Sequence, residues 1–263
     1  MRATSQRSDA VADLRRWGGL VGILAVKNFR QRYLRSRLGV LWALVQPTAQ
    51  AIVLSFVFVK IFRIHGVPHY PLYVLTGMMT WQLFATSTLT ATSSAVDNGG
   101  LVRKVPLPKV VFPLASVGGS LIVYGVQTSI LIGGALLAGT LGPEVLLLPL
   151  GALLAAGLAC GLGLIGCAFH VAFRDIRFLL ESGLLLMFYA TPVLYDPSRL
   201  PEGLRQYLRF NPMYGVLSVQ RGALLGRAID PWAVLISAGT AAVLIALGAV
   251  AFRRRSPDFA DLL

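Results

Sequence analysis

Few side chains in this 263-residue sequence have types and spacing that could do chemistry. The three histidines, His65, His69 and His170, lack the spacing to carboxylates or thiolates that metal sites show. Cys160 and Cys167 lie seven residues apart in one apolar run, about 10 Å along a helix, which is too far for a disulfide. No Ser-His-Asp grouping or paired carboxylates are visible. We therefore predict no catalytic residues and no metal site.

A glycine-rich stretch, Gly161-Leu-Gly-Leu-Ile-Gly166, matches the G-x-G-x-x-G pattern of dinucleotide-binding sites. That pattern indicates nucleotide binding only between a strand and a helix, and here it lies in the middle of a long apolar run. Small residues in such a run let helices approach closely, so we interpret the motif as a helix-packing element. The sequence contains no G-x-x-x-x-G-K-[ST] phosphate loop either.

The composition indicates a membrane protein. Hydrophobic residues make up 56% of the chain and charged residues only 13%, whereas a soluble domain is about a quarter charged. The net charge of +13 would suggest nucleic-acid binding in a soluble protein. Here the basic residues cluster at the ends of apolar runs, where they meet lipid headgroups or cytosolic partners. We therefore expect membrane lipids, and no nucleic acid, among the partners.

Six apolar runs could position the remaining candidate residues across a bilayer. They cover residues 38–62, 72–96, 110–141, 145–173, 178–195 and 232–252. We predict an all-α membrane protein with six transmembrane helices. The cytosolic segment 1–37 is predicted to contain an interfacial amphipathic helix over 13–37. Short re-entrant helices are predicted in 196–230, before the last span, and a cytosolic tail in 253–263.

The distribution of basic residues predicts the orientation of this bundle. Of the 24 lysines and arginines, 17 fall on the side that holds both termini of a six-span chain, and 7 fall on the opposite side. The positive-inside rule therefore places both termini in the cytosol and residues 196–230 on the outer side.

Ionisable residues are nearly absent from the predicted spans. Glu181 and Lys60 lie near span ends, whereas ion-coupled carriers need buried carboxylates near the midplane. Energy should then enter from outside the membrane domain, and the missing phosphate loop assigns ATP hydrolysis to a separate subunit. Candidate docking surfaces are residues 13–37 and the loop 97–109, which contains prolines and Asn98-Gly-Gly100. Contact of these basic segments with lipid headgroups is the alternative interpretation.

Five aromatic residues are candidates for a substrate path: Trp42, Trp81, Phe84, Tyr124 and Tyr189. Trp42 and Tyr189 lie near predicted span ends, where aromatic belts are common. The deeper rings of Trp81, Phe84 and Tyr124 could stack weakly on sugar rings and give a glycan a path without tight binding. Ordinary core packing explains each of these rings equally well.

Residues 32–47, with Leu-Gly, Leu-Trp and a final proline after a basic cluster, resemble a signature of the membrane subunits of type-2 ABC exporters. The likeness extends to 98–113, to the Phe-Arg-Asp motif in 173–177, to 190–195 and to 211–213. It covers nearly the whole chain in order. The class most similar to it exports polysaccharides and teichoic acids.

This resemblance implies that the chain is half of a transporter in the bacterial inner or plasma membrane. It implies a homodimer with two copies of a separate ABC ATPase. Mg-ATP would bind that partner, with no cofactor in this chain. The implied substrate is a lipid-linked polysaccharide of the O-antigen, capsule or teichoic-acid type. The residues that the likeness assigns to ATPase coupling are Asn98, Leu101, Arg103, Lys104, Val105, Leu107, Lys109, Trp17 and Arg30.

Three arginines beside the first span suggest a further role. Arg32, Arg35 and Arg37 lie at headgroup level, where they could contact the diphosphate of a lipid anchor. Topology and ATPase contact are the alternative explanation, and the more conventional one.

Two other functions remain open from the sequence. One is a type-2 ABC exporter of drugs or small lipids. The other is a membrane-embedded enzyme of lipid-linked sugar metabolism. The enzyme would need an acidic cluster such as Asp-x-x-Asp at the cytosolic interface, and Asp175 alone does not supply one.

Overall fold

The computed structural model describes residues 2–33, 37–61, 63, 66–104 and 107–263, and these residues are mostly helical, with no strand among them. This confirms the predicted all-α fold class. The α-helices of the described chain are α1 (Arg2–Tyr33), α2 (Trp42–Phe56), α3 (Tyr70–Asp97), α4 (Gly99–Lys104), α5 (Val111–Leu137), α6 (Leu148–His170), α7 (Ile176–Ala190), α8 (Glu202–Leu208), α9 (Pro212–Leu225), α10 (Pro231–Arg255) and α11 (Phe259–Leu262).

Four helical stretches are long and apolar enough to cross a membrane: Gly39–Ile61, Val111–Leu137, Pro143–His170 and Pro231–Asp258. They coincide with the predicted first, third, fourth and sixth spans. The first includes α2, and the other three include α5, α6 and α10. In the last stretch, helical structure continues through the three arginines that follow the predicted end of the span.

The predicted second and fifth spans correspond to α3 and α7. With 28 residues, α3 is about 42 Å long, but its many hydroxyl residues lower its hydropathy. The hydroxyls of Thr76, Thr80, Thr88 and Thr92 each donate to the carbonyl four residues earlier, at 2.8–2.9 Å. These local bonds let α3 bury its threonine hydroxyls, and that of Thr80 also lies 3.3 Å from the hydroxyl of Tyr124 on α5. With only 15 residues, α7 is short for a span. Crossing by these two helices stays a prediction.

The glycine motif lies inside α6, where it packs against α10. A Cβ atom on Gly161 would lie 2.5 Å from the carbonyl carbon of Leu244 and 2.6 Å from the backbone nitrogen of Ile245. Conversely, a Cβ atom on Gly248 would lie 2.7 Å from the carbonyl oxygen of Gly161. Only glycine permits this approach of two backbones. The packing interpretation of the motif is confirmed.

Pro47 lies inside α2, where it lacks the N–H that would bond the carbonyl of Ala43. Nε2 of Gln127, on α5, donates to this carbonyl at 3.0 Å and to Oε1 of Gln82 on α3 at 2.8 Å. Gln127 is only 1% exposed. Its side-chain amide therefore replaces the missing helical hydrogen bond and joins α2 to α3 and α5.

The Gln127→Leu variant should lower stability by about 1–3 kcal/mol, because it leaves the carbonyl of Ala43 and the amide oxygen of Gln82 without a donor in the interior. A lower midpoint of thermal unfolding in detergent would show this. The control is Ser129→Ala, also on α5, whose exposed hydroxyl bonds only within its own helix. Equal midpoints for the two variants would contradict the assigned role of Gln127.

The segment 196–230 contains one exposed helix, α8, and one buried helix, α9. Pro212 begins α9 rather than bending it, since the first turn of a helix needs no proline N–H. Asn211 caps this turn by accepting the N–H of Met213 at 3.0 Å. The buried side chains of α9 pack against α3, α6 and α10. A re-entrant arrangement of these helices stays a prediction.

The long helices connect two ends of the bundle. At one end, which we call the α4 end, α4 and α11 lie beside the end of α3 and the beginning of α5. At the opposite end, the α8 end, the hydroxyl of Tyr70 donates to the carbonyl of Leu194 at 2.7 Å, and that of Thr140 to the carbonyl of Leu224 at 2.7 Å.

Candidate functional site

A groove of about 830 Å³ lies between α2, α3 and α7. Since α3 packs against both other helices, it forms the floor of this groove. The side chains that give the groove its chemical character are aromatic or uncharged and polar: Phe58, Trp81, Phe188, Tyr189, Gln50, Gln82 and Thr86.

The aromatic rings of the groove form a chain of edge-to-face contacts. The centroid of Trp81 lies 5.5 Å from that of Phe84 and 5.6 Å from that of Phe188. Phe188 in turn lies 5.3 Å from Tyr189. Trp81 is buried, whereas Tyr189 is 65% exposed. The contacts therefore run from the core at α3 to an exposed ring on α7, in the geometry that aromatic pairs prefer.

A second cavity of about 660 Å³ continues this surface along α7. It shares Trp81, Ala85 and Phe188 with the groove and extends to Glu181 and Ser182. Because α7 begins at the α4 end, the two cavities together follow α7 from near that end towards the α8 end. Among the described residues that line them, Glu181 is the one charged side chain.

This lining matches a long molecule that is held weakly. The exposed ring of Tyr189 can contact the apolar face of a sugar ring, and the amides of Gln50 and Gln82 can exchange hydrogen bonds with hydroxyls. A surface with few charges has no strong electrostatic hold on what passes over it. The arrangement is therefore better suited to passage than to tight binding.

The structure brings together three of the five aromatic residues predicted for the path. Trp81 and Tyr189 line the groove, and Phe84 is buried in contact with Trp81. Tyr124 lies in the core, with its hydroxyl 3.3 Å from that of Thr80. The fifth, Trp42, is exposed at the start of α2. A role of any of them in a substrate path stays a prediction.

Sequence reasoning missed Gln50 and Gln82 in the groove and did not include Phe188 among the candidates for the path. Ionisable groups were the signal sought in the spans, whereas the polar groups of this site are mainly amides. A glutamine within each of the apolar runs 38–62 and 72–96 was the available signal, because an amide in apolar surroundings needs a hydrogen-bond partner.

At the α4 end, the short helix α4 has one buried and one exposed face. Val102 is buried in a cluster with Phe112 and Phe259. Leu101, Arg103 and Lys104 are exposed. The helix is thus held by its apolar side while presenting one apolar and two basic side chains outward, a suitable surface for docking a partner.

Asn98 holds the start of α4 in place and is not part of its exposed face. Its side-chain Nδ2 donates to the carbonyl of Ser94 at 2.8 Å. Its backbone carbonyl accepts the N–H groups of Leu101 and Val102. Val105, a predicted coupling residue, lies outside the described residues. Another, Leu107, is half-buried.

Lys109, also predicted for coupling, is engaged by the C-terminal segment of the chain. Its Nζ donates to the carbonyl of Ser256 at 2.5 Å and to that of Pro257 at 3.2 Å, and lies 5.7 Å from the ring centroid of Phe259. Phe259 is 1% exposed and packs edge-to-face on Phe252. The C-terminal segment, which lies within the tail predicted for 253–263, therefore supports α4.

Replacing Phe259 by alanine should loosen α4 and lower stability by about 3–5 kcal/mol, because it removes a buried ring from the cluster that holds α4. Faster amide hydrogen exchange in residues 99–104 would show the local effect. Leu262→Ala is the control, since Leu262 lies on the same short helix but is exposed. Unchanged amide exchange in residues 99–104 of the Phe259→Ala variant would show that Phe259 does not support α4.

The helix α1 packs on α5 through small residues. Ala25 is buried, and a Cβ atom on Gly118 would lie 3.1 Å from that of Ala25. Ile23, Val26 and Arg30 are exposed. They leave a mixed apolar and basic face on α1. The interfacial position predicted for residues 13–37 stays a prediction.

The other predicted residues of this end have mixed placements. Trp17 is half-buried on α1, and Arg37 is exposed beside the first span. Arg32 lines a polar cavity of about 350 Å³ together with Asp97. Arg35 lies outside the described residues.

Comparison with known proteins gives a family match for this architecture. The model of the family described as ABC-2 type transporter matches residues 19–225. The match extends from α1 to α9 and includes both the groove and α4.

Three similar proteins have named roles. The chain is 26% identical over 258 residues to the O-antigen export system permease protein RfbA of Klebsiella pneumoniae, covering 93% of this chain and 95% of that protein. It is 28% identical over 255 residues to RfbA of Myxococcus xanthus, covering 95% and 98%. It is 24% identical over 209 residues to the polysialic acid transport protein KpsM of Escherichia coli, covering 78% and 81%.

Proposed function

Because this chain belongs to the ABC-2 type transporter family, we propose that it is the permease subunit of an ATP-driven exporter of a lipid-linked polysaccharide. The polymer is of the O-antigen or capsule class. The chain is integral to the bacterial inner membrane, and the four long apolar helices support this location.

The observation that carries the proposal is the consistent role of the relatives. Those named above align over 78% to 95% of this chain, and all are transport proteins for surface polysaccharides. The groove supports the same substrate class, since it combines aromatic faces with amides and little charge. A teichoic-acid polymer is a further member of the proposed class.

The energy for export comes from a separate ABC ATPase that binds Mg-ATP. We assign its docking to the exposed faces of α4 and α1, which places the α4 end and both termini in the cytosol. The excess of basic residues at that end supports this orientation. Two copies of the chain with two ATPase subunits then form the exporter, and α2 and α7 separate to admit the polymer.

The diphosphate of the lipid anchor meets the arginines beside the first span in this scheme. Arg32 and Arg37 are exposed at the α4 end, where an anchor in the cytosolic leaflet would approach. Substrate-stimulated ATPase activity that is unchanged in the Arg32→Gln and Arg37→Gln variants would dispose of this contact.

The alternatives have weaker support. An exporter of drugs or small lipids would share the family, but the three relatives named above have polysaccharide roles. An enzyme of lipid-linked sugar metabolism needs an acidic cluster, and the described residues contain no group of three or more His, Cys, Asp and Glu side chains placed to hold a metal.

Deleting the gene for this chain tests the function. We expect surface polysaccharide to disappear and its lipid-linked precursor to accumulate on the cytosolic side, with recovery when the wild-type chain is restored. A deletion strain with normal surface polymer but altered sensitivity to amphiphilic drugs would instead favour the small-molecule exporter.

A further inference from the structure

A pocket of about 330 Å³ that is lined in part by charged side chains lies at the α8 end, opposite the proposed ATPase-docking surface. The side chains that give it its charge are Arg205, Arg221, Arg227 and Asp196, and the ring of Tyr73 also lines it. Three guanidinium groups and one carboxylate therefore face a common space. The pocket is separate from the groove, although the residues after α7 connect the two.

Arg221 is the most buried of these groups, with 5% of its surface exposed. Its Nη1 donates to the carbonyl of Pro192 at 2.7 Å and its Nη2 to that of Val193 at 2.8 Å. The guanidinium carbon lies 3.5 Å from the ring centroid of Tyr73. These partners are neutral, and the Nε atom is buried with no hydrogen-bond partner among the described residues. Burial lowers the pKa of Arg221 to about 10, so it stays charged at neutral pH.

Arg227 uses the carboxylate of the pocket. Its Nη1 lies 2.6 Å from Oδ2 of Asp196, and its guanidinium carbon lies 4.7 Å from the Tyr73 ring centroid. Burial acts to raise the pKa of Asp196, but hydrogen bonds from Arg227 and from the N–H of Ser198 outweigh it, and the net pKa is lowered. Asp196 is therefore ionised and neutralises one arginine.

The remaining charges leave the pocket positive. Arg205, on α8, is exposed and donates through Nη2 to the carbonyl of Ser198, which is neutral. The nearby Asp230 is paired with Arg209 at 2.9 Å. Among the residues that the structure describes, two of the three arginines that line the pocket therefore have no carboxylate partner. A buried cation without a counter-charge is costly, so the site favours an anion from outside.

We propose that this pocket binds a phosphate group presented at the outer surface of the membrane. Arginine guanidinium groups hold phosphate oxygens through paired, charge-assisted hydrogen bonds. The group could belong to an anionic lipid headgroup or to a soluble diphosphate, since both offer the same oxygens. The assignment to the outer surface rests on the proposed orientation, whereas phosphate binding does not depend on which polymer is exported.

A bound phosphate would also act on the groove. Arg221 holds the carbonyls of Pro192 and Val193, and the next residue, Leu194, lines the groove. An anion that fixes Arg221 and Arg227 therefore stiffens the segment after α7, at the end of the groove where the polymer would leave.

Binding measurements on the full chain test the proposal. In one arm, the protein in phosphatidylcholine nanodiscs is titrated with inorganic diphosphate by calorimetry. In the other, native mass spectrometry counts the phosphatidylglycerol molecules that the protein retains from mixed nanodiscs. Arg205→Gln is the primary variant because Arg205 is exposed, and Arg227→Gln is the second. The matched control is Arg209→Gln, an arginine at the same end that is paired with Asp230.

We expect the Arg205→Gln and Arg227→Gln variants to bind about tenfold more weakly and the Arg209→Gln control to bind like the wild type. Binding of diphosphate alone assigns a soluble anion, and retention of phosphatidylglycerol alone assigns a lipid headgroup. Absence of both, or equal weakening in Arg209→Gln, overturns the proposal. Because neither arm measures export, failure here is distinct from failure of the proposed function.

Discussion

Replacing both Arg103 and Lys104 by glutamate should abolish co-purification of the ATPase subunit and reduce polymer export by about tenfold or more. Both side chains are exposed on α4, whose other face is held by the buried Val102. The double change reverses the charge of the surface without removing any buried contact. Membrane insertion and the thermal stability of the chain should therefore be unaffected.

The matched control for this experiment is the double change Arg253→Glu and Arg254→Glu. These arginines are exposed at the α4 end but belong to α10. We expect the ATPase to remain bound in this variant. Normal co-purification of the ATPase with the α4 variant would show that the ATPase docks elsewhere. Equal loss of the ATPase in both variants would show that the total charge of the cytosolic face, rather than α4, determines docking.

The sequence predicted the helices whose lengths the bilayer determines. The runs that became α5, α6 and α10 needed no knowledge of tertiary contacts, because a membrane requires about 20 apolar residues for each crossing. The helices α3 and α7 are not among the long apolar stretches, and each has a local reason. Threonine hydroxyls lower the hydropathy of α3 and bond to carbonyls of their own helix, while α7 ends at Ala190, just before Thr191 and Pro192.

The contacts that sequence reasoning missed join residues far apart in the chain. The amide of Gln127 completes the hydrogen bonding of Ala43, and Lys109 holds the carbonyl of Ser256. Neither pair has a periodicity or spacing that reveals it, since each forms only when helices pack. Pro47 was a partial signal: its missing N–H leaves a carbonyl that another side chain can satisfy.

The same limit applied to the candidate site. Trp81 and Tyr189 were identified by residue type, but their proximity depends on how α3 packs against α7, with Phe188 between them. Arg221 was counted as an outer-side topology residue and is instead buried. A charged residue in a segment with mixed hydropathy does not reveal its burial, because its partners are carbonyl groups that every residue carries.

Replacing Ala85 by tryptophan should reduce polymer export by about tenfold or more while the ATPase remains bound. Ala85 is half-buried on α3 and lines both the groove and the adjoining cavity. An indole at this position fills the junction between them, next to Trp81 and Phe188. A polymer that follows α7 must pass this point. Surface polysaccharide measured by immunoblot, with ATPase co-purification from the same cells, separates blocked passage from failed assembly.

The Leu137→Trp variant controls for the added bulk, because Leu137 is 93% exposed at the end of α5 and away from the groove. Export by this variant should equal that of the wild type. Tyr189→Ala extends the test in the opposite direction: it widens the groove and removes one stacking face, so export should fall less than with Ala85→Trp. If Ala85→Trp exports normally, the polymer does not follow this surface, and the aromatic chain from Trp81 to Tyr189 serves packing alone.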